Sequence, residues 1–215
     1  MGLALTFAIA AALLLGGSDF FAARSARTTP AITVTRTAVA VSSLLSPLLL
    51  LVVDFEWRAH DLIIGAFAGL TMIIGLMLLY RGYAVARMGI VAPLSSVLLA
   101  AVPVVWDLLN GITPNGWASL GMGLGVVALV LTSYTPGGVG SVQQGAILGV
   151  CSGVAFGVAF TLMGEASEAS GLTPVITQRA AGFALLAVIG LARRDKFLAE
   201  GIGFRRAVLA GVLGL

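Results

Sequence analysis

The stretch Leu62-Ile63-Ile64-Gly65-Ala66-Phe67-Ala68-Gly69-Leu70-Thr71-Met72-Ile73-Ile74-Gly75-Leu76-Met77-Leu78-Leu79-Tyr80 decides the class of fold. It carries no charge from end to end, and about 20 mainly apolar residues in a helix cross the ~30 Å hydrocarbon core of a bilayer. Similar runs lie on both sides of it. With it they give seven predicted spans, at 3–23, 30–53, 62–80, 89–109, 117–134, 145–163 and 173–192. An eighth apolar run begins near Ala207 and reaches Leu215, too short to cross, so the expectation is a fragment or truncated chain that holds only the start of that helix. The first run has no basic residues ahead of it and is followed by further spans, which predicts a membrane helix in place of a signal peptide.

The composition of the 215 residues agrees: 59% are hydrophobic and 10% charged, with a mean hydropathy of +1.08. A soluble domain carries about 25% charged residues, so this chain has little polar surface to offer water. Its 12 Lys and Arg exceed its 9 Asp and Glu, and the isoelectric point is near 9.6. The basic residues fall between apolar runs and form no stripe, which excludes a nucleic-acid partner. The single cysteine, Cys151, excludes an intramolecular disulfide or a cysteine metal cluster and reads as a small packing residue in an apolar run.

Turn residues mark the same boundaries. Pro30 and Pro174 sit at helix starts, where a missing N–H costs little. Asn110-Gly111 with Pro114-Asn115-Gly116, and Pro136-Gly137-Gly138, mark turns. Pro47, Pro93 and Pro103 fall inside spans, as structural kinks or as bends toward a cavity. The segments after spans one, three and seven hold Arg24, Arg27, Arg81, Arg87, Arg193, Arg194, Lys196, Arg205 and Arg206. Those after spans two, four and six hold only Arg58, with Asp54, Glu56, Asp61, Glu165 and Glu168. Positive charge is retained on the cytoplasmic side, so the first set is expected there and the N-terminus outside.

An internal repeat is visible. Thr29-Pro30-Ala31-Ile32-Thr33 returns as Thr173-Pro174-Val175-Ile176-Thr177, and each copy is followed by an arginine, Arg36 or Arg179. Five spans separate equivalent points, and an odd number inverts the second copy, as in many secondary transporters. Glycines recur every four residues at Gly145, Gly149, Gly153 and Gly157, at Gly65 and Gly69, and at Gly121 and Gly125, a spacing that lets helix backbones approach in lipid.

The ionisable residues inside spans are Asp19, Arg36, Asp107 and Arg179. A charge at mid-bilayer costs about 2.5 to well over 10 kcal/mol, so such residues face protein or water and are candidates for function. Arg36 is placed to hold a substrate carboxylate, to pair with Asp19, or to serve packing. Arg179 occupies the matching place in span seven. Asp19 lies about one turn from a basic segment, where snorkelling to the interface is the alternative, and Asp107 is expected to be exposed at the interface. Ser95 and Ser96, with Ser42 and Ser43, offer hydroxyls for a polar path that Trp106 and Tyr80 could wall, although each of these types also serves packing or the interface. His60 is the only histidine, so neither a histidine-based metal site nor a Ser–His relay can form, and no enzyme is expected.

Three stretches carry a family resemblance. Leu15-Gly16-Gly17-Ser18-Asp19-Phe20-Phe21 resembles the first-helix motif of the EamA-domain members of the drug/metabolite transporter superfamily. The segment from Tyr80-Arg81-Gly82-Tyr83 through Ala92-Pro93-Leu94-Ser95 resembles the junction of that family's third and fourth helices. Gly111-Ile112-Thr113-Pro114 followed by Gly121 resembles its turn into the fifth. The chain departs from the pattern at Gly16, where tryptophan is usual, and at Ile112, where glutamate is usual. The resemblance implies an all-α polytopic membrane protein of ten helices in two inverted five-helix halves. The first half would be 1–136, and 144–215 would be an incomplete second half with helices six, seven and the start of eight. It implies a secondary carrier of small metabolites, amino acids or drugs, working by alternating access in the inner (plasma) membrane. The substrate-binding residues would be Arg36, Arg179, Asp19, Ser95 and Ser96, with no cofactor or metal. The expected partners are the solute, the bilayer and a second copy in a homodimer. The alternative expectation is a non-transporting fragment or a helix-packing subunit that needs another chain.

Overall fold

A computed structural model describes residues 2–26, 29–51, 54–86, 88–133, 142–193 and 198–214. Among them are eight α-helices and no strand: α1 (Gly2–Ala26), α2 (Ala31–Leu45), α3 (Ala59–Val85), α4 (Met88–Leu109), α5 (Gly116–Ser133), α6 (Val142–Gly164), α7 (Thr173–Arg193) and α8 (Gly201–Leu213). Each predicted apolar run is a helix. Among the described residues, five are long and apolar enough to cross a membrane: Ile32–Leu51, Ala59–Leu79, Ile90–Leu109, Val142–Gly164 and Thr173–Arg193.

The boundaries differ most from expectation at four helices, α1, α2, α3 and α8. α1 runs on to Ala26 and α3 to Val85, so Arg24 and Arg81 ride on helices; a cation in the last turn is favoured by the helix dipole, as at Arg24. α8 starts at Gly201, ahead of the predicted Ala207, and takes Arg205 and Arg206 into its first turns. Apolar periodicity misses this start because the two arginines interrupt the run. At Pro47, α2 gives way to a 3₁₀ segment, Ser46–Leu51, whereas α4 stays helical through Pro93 and Pro103. Arg27, Arg87, Arg194, Lys196 and the Pro136-Gly137-Gly138 turn lie outside the described residues.

The chain forms two compact units, one of Met1–Ala66 with Ser167–Leu215 and one of Phe67–Ala166, with α3 passing from the first into the second. In the first unit α8 lies along α1 and α2. Ser18 Oγ donates to the Ala210 carbonyl and Ser25 Oγ to the Gly203 carbonyl, each at 2.8 Å, which makes α1 and α8 antiparallel. Gly203 sits against Thr29, and Gly211 against Ala38 and Val41, so α8 runs parallel to α2. α7 is antiparallel to α2, because Gly190 faces Arg36 while Ser43 Oγ donates to the Arg179 carbonyl at 2.8 Å. The start of α3 runs parallel to α7, with Ser170 on Asp61 and Gly65 on Pro174 and Thr177.

In the second unit the glycine stripe of α6 meets α4. Gly149 abuts the Val91 carbonyl and Leu94 Cβ, Gly153 the Ser95 carbonyl and Leu98 Cβ, and Gly157 Val102 Cβ and the Leu98 carbonyl. α3 runs antiparallel to α6, with Gly75 against Phe156 and Gly82 near Leu148. Within each unit these directions are those of a chain that crosses and returns at every helix.

The same glycine spacing does not pack everywhere. Among the described residues, Gly121 and Gly125 of α5 have no neighbour within 4 Å of where a Cβ would stand, so the close approach expected there is not seen. Cys151, expected to pack, is exposed on the side of α6 away from its glycines.

A Cβ at Gly153 would stand 2.5 Å from the Ser95 carbonyl oxygen and 2.7 Å from Leu98 Cβ. Gly153→Ala is therefore expected to cost about 1–3 kcal/mol through overpacking. Gly121→Ala, with open space around it, should gain about 0.5–1 kcal/mol from helix propensity. Thermal unfolding in detergent checks the pair, with the first variant lower and the second unchanged or higher.

Candidate functional site

The first unit buries an unusual run of polar residues on α2. Thr33, Thr35, Arg36 and Thr37 are all buried, and Arg36 is 0% exposed. Such a run in lipid must be satisfied internally, since no water compensates a lost hydrogen bond. Thr37 shows how: its Oγ1 donates to the Thr33 carbonyl at 2.9 Å and accepts from the Ala199 N–H at 2.9 Å, which ties the segment ahead of α8 to α2.

Arg36 points across to α7. A Cβ at Gly190 would lie 2.5 Å from its guanidinium carbon and 2.6 Å from Nη1, so the absence of a side chain at Gly190 is what makes the seat. Its Nε and Nη2 are closed to solvent. Arg179 sits on α7, half-buried, with its Nε also closed to solvent. Arg179 lies beside Ser43 and Arg36 beside Gly190. Seven residues separate Arg36 from Ser43 on α2 (43 − 36), so the two arginines are offset by about 10 Å along the helix pair.

Asp19 lies on α1 in this same unit, and its side chain is outside the described residues, as is that of Tyr80. Ser95 and Ser96 belong to the second unit. Ser152 Oγ donates its one proton to the Gly75 carbonyl at 2.8 Å, so Ser95, 3.2 Å from Ser152 Oγ, must be the donor to it. That chain of bonds fastens α3, α4 and α6 together. Ser96 is half-buried. Ser42 binds back to the Val39 carbonyl within its own helix at 3.1 Å. Trp106 donates from its exposed indole to Glu165 Oε1 at 2.6 Å, and Asp107 is exposed, as an interfacial position predicts.

Charge divides between the ends of the first unit. Arg206 Nη1 donates to the Arg24 carbonyl at 3.3 Å, which brings the start of α8 to the end of α1. The antiparallel α7 brings Arg193 to that same end, with Arg205 beside Arg206 and one acid, Glu200, directly ahead of α8, so this end is basic on balance. At the other end lie Asp54, Glu56, Asp61 and Glu168, with Arg58 bound to Glu56 at 2.7 Å. There the Glu56 N–H donates to the Ala169 carbonyl at 2.9 Å, and Gly171, at φ +54°, turns against Asp54.

Sequence reasoning missed four residues that shape this region: Ser25, Ser170, Thr37 and Gly190. A signal for two of them was present, since a serine precedes each repeated proline, Ser25 by five residues and Ser170 by four. Comparison with protein-family models, with curated proteins and with solved structures returned no match.

Gly190→Ala is expected to displace the Arg36 guanidinium and cost about 1–3 kcal/mol. In an Arg36→Ala background the clash has no partner, so the same substitution should cost at least about 1 kcal/mol less, a coupling typical of residues in contact. A double-variant cycle on thermal unfolding measures it, and additive costs would contradict the seat.

Proposed function

We propose that the chain is a secondary membrane carrier, similar to the EamA-domain drug/metabolite transporters, that moves a small solute by alternating access. The observation that carries this reading is the α2–α7 pair. Both helices open on the same Thr-Pro-x-Ile-Thr sequence, each carries an arginine soon after the repeated proline, six residues on at Arg36 and five at Arg179, and they pack antiparallel. Two copies of one segment that meet antiparallel are what an inverted repeat of five-helix halves requires, and transporters of that design bind solute where the repeats meet. Two further pairs follow the same relation. The parallel pair α2–α8 has its counterpart in α7–α3, and the antiparallel pair α1–α8 in α6–α3.

In this reading Arg36 and Arg179 hold an anionic group of the solute, and Asp19 serves as a proton or cation partner. A buried guanidinium suits that task because its planar fork binds a carboxylate in bidentate fashion. Ser95 and Ser96 would offer hydroxyls to the solute within the second unit. The basic end of the first unit would face the cytoplasm of a cell whose inner membrane holds the protein, following the retention of positive charge on that side. The assembly would be a homodimer.

The test is flux. The purified protein in proteoliposomes is offered a panel of radiolabelled amino acids and organic anions, beside Arg36→Gln and Arg179→Gln. The solute that the parent moves should be moved at least about tenfold more slowly by Arg36→Gln, the effect of losing one charge-assisted bond. Retained elution on gel filtration shows that the fold survives. Unchanged flux with Arg36 neutralised would overturn the assignment.

A further inference from the structure

A buried serine stands shortly ahead of each repeated proline, Ser25 by five residues and Ser170 by four, and the acceptors of the two differ. Ser25, 0% exposed at the end of α1, donates to the Gly203 carbonyl, and Gly203 is the third residue of α8. Ser170, also 0% exposed, stands ahead of α7 and donates to Asp61 Oδ2, and Asp61 is the third residue of α3. Thr173, the first residue of the second motif, bonds back to the Ser170 carbonyl at 2.9 Å and fixes that corner.

Both bonds lie in the first unit and at its opposite ends. Ser25 closes the end that carries Arg24, Arg193, Arg205 and Arg206, while Ser170 closes the end that carries Asp54, Glu56 and Glu168. One acceptor is a neutral backbone carbonyl. The other is a carboxylate, itself only 2% exposed, with His60 Nδ1 3.3 Å from its second oxygen. A hydrogen bond to an ionised acceptor is roughly twice as strong as a neutral one, and breaking it in a buried place leaves the charge without its donor.

We propose that these serines are end latches, Ser25 between α1 and α8 and Ser170 between the approach to α7 and α3, and that the carboxylate makes the acidic end the more firmly shut, so that the resting protein opens at its basic end. The proposal rests on the carrier reading, since a protein that never opens needs no latch. It assigns Ser25, Ser170 and Asp61 a role in setting which side is accessible, and it gives Asp61 a reason to be buried at the start of a membrane helix. Substitution at Asp61 and Ser170 acts on one end alone, and substitution at Ser25 on the other.

Reporter cysteines one turn behind each latch read the opening. Ile64 is 9% exposed and follows Asp61 on α3; Ala207 is 0% exposed and follows Gly203 on α8. In a Cys151→Ala background, which removes the one native cysteine, Ile64→Cys and Ala207→Cys are labelled with a hydrophilic maleimide in the purified full chain. The Ala207 site should label at least about fivefold faster than the Ile64 site, the ratio that a bond of twice the strength implies. Ser170→Ala should speed labelling at Ile64 about tenfold and leave Ala207 unchanged, Asp61→Asn should give a smaller rise at Ile64 alone, and Ser25→Ala should speed Ala207 alone. Faster labelling at Ile64 in the parent, or equal acceleration of both sites by Ser170→Ala, overturns the proposal; if Ser170→Ala does not fold, Asp61→Asn decides, and no change at Ile64 overturns it. Flux on the same variants separates the two readings: end-selective labelling with no solute moved sinks the carrier and keeps the latches, whereas solute flux with uniform labelling sinks the latches and keeps the carrier.

Discussion

In lipid no hydrophobic force presses helices together, so everything in this molecule depends on how closely the backbones of its helices can approach. The contact of α6 with α4 shows the constraint in its simplest form. Gly145, Gly149, Gly153 and Gly157 present bare backbone to Val91, Ser95, Leu98 and Val102, and dispersion over that strip holds the pair. Hydroxyls do the rest where polar groups are buried. Ser152 joins α6 to α3 through the Gly75 carbonyl, and Ser18 and Ser25 join α1 to α8 through Ala210 and Gly203. Each is a short bond from a small side chain to a neighbouring backbone, which demands the same close approach that the glycines give.

The α2–α7 pair uses this device for a different end. Gly190 gives up its side chain to a guanidinium instead of a helix backbone, and Arg36 becomes a buried charge among the buried hydroxyls of α2. A buried cation is costly in such surroundings, so a protein that keeps one gains something from it. Recognition of an anionic solute is the gain we propose. The segregation of Arg24, Arg193, Arg205 and Arg206 from Asp54, Glu56, Asp61 and Glu168 gives the same unit a polarity along its axis, which a vectorial task needs.

Much of this was legible in the sequence, for a physical reason. Hydrophobic runs of bilayer length read directly as helices, so the run at 62–80 and its neighbours found every helix. The Thr-Pro-x-Ile-Thr motif was legible because a proline and two hydroxyls stand out in apolar sequence. Less legible was what each small residue touches. Gly153 and Gly121 share one spacing, yet the first meets a carbonyl and the second meets nothing. Gly190, Ser25 and Ser170 are single small residues whose partners lie far along the chain, 178 residues away for Ser25 and 109 for Ser170, and no local pattern announces such a contact. The start of α8 was hidden because Arg205 and Arg206 look like a loop and in fact ride its first turns beside Arg24.

On our proposal the chain crosses a membrane repeatedly, with the two charged ends of its first unit on opposite sides. Sidedness of labelling tests it most directly. Glu168→Cys and Arg205→Cys, both at exposed positions, are placed in the Cys151→Ala background and exposed to a membrane-impermeant maleimide in right-side-out and inverted vesicles. The account predicts that Glu168→Cys reacts only from the outer face and Arg205→Cys only from the cytoplasmic face; labelling of both from the same face would contradict it.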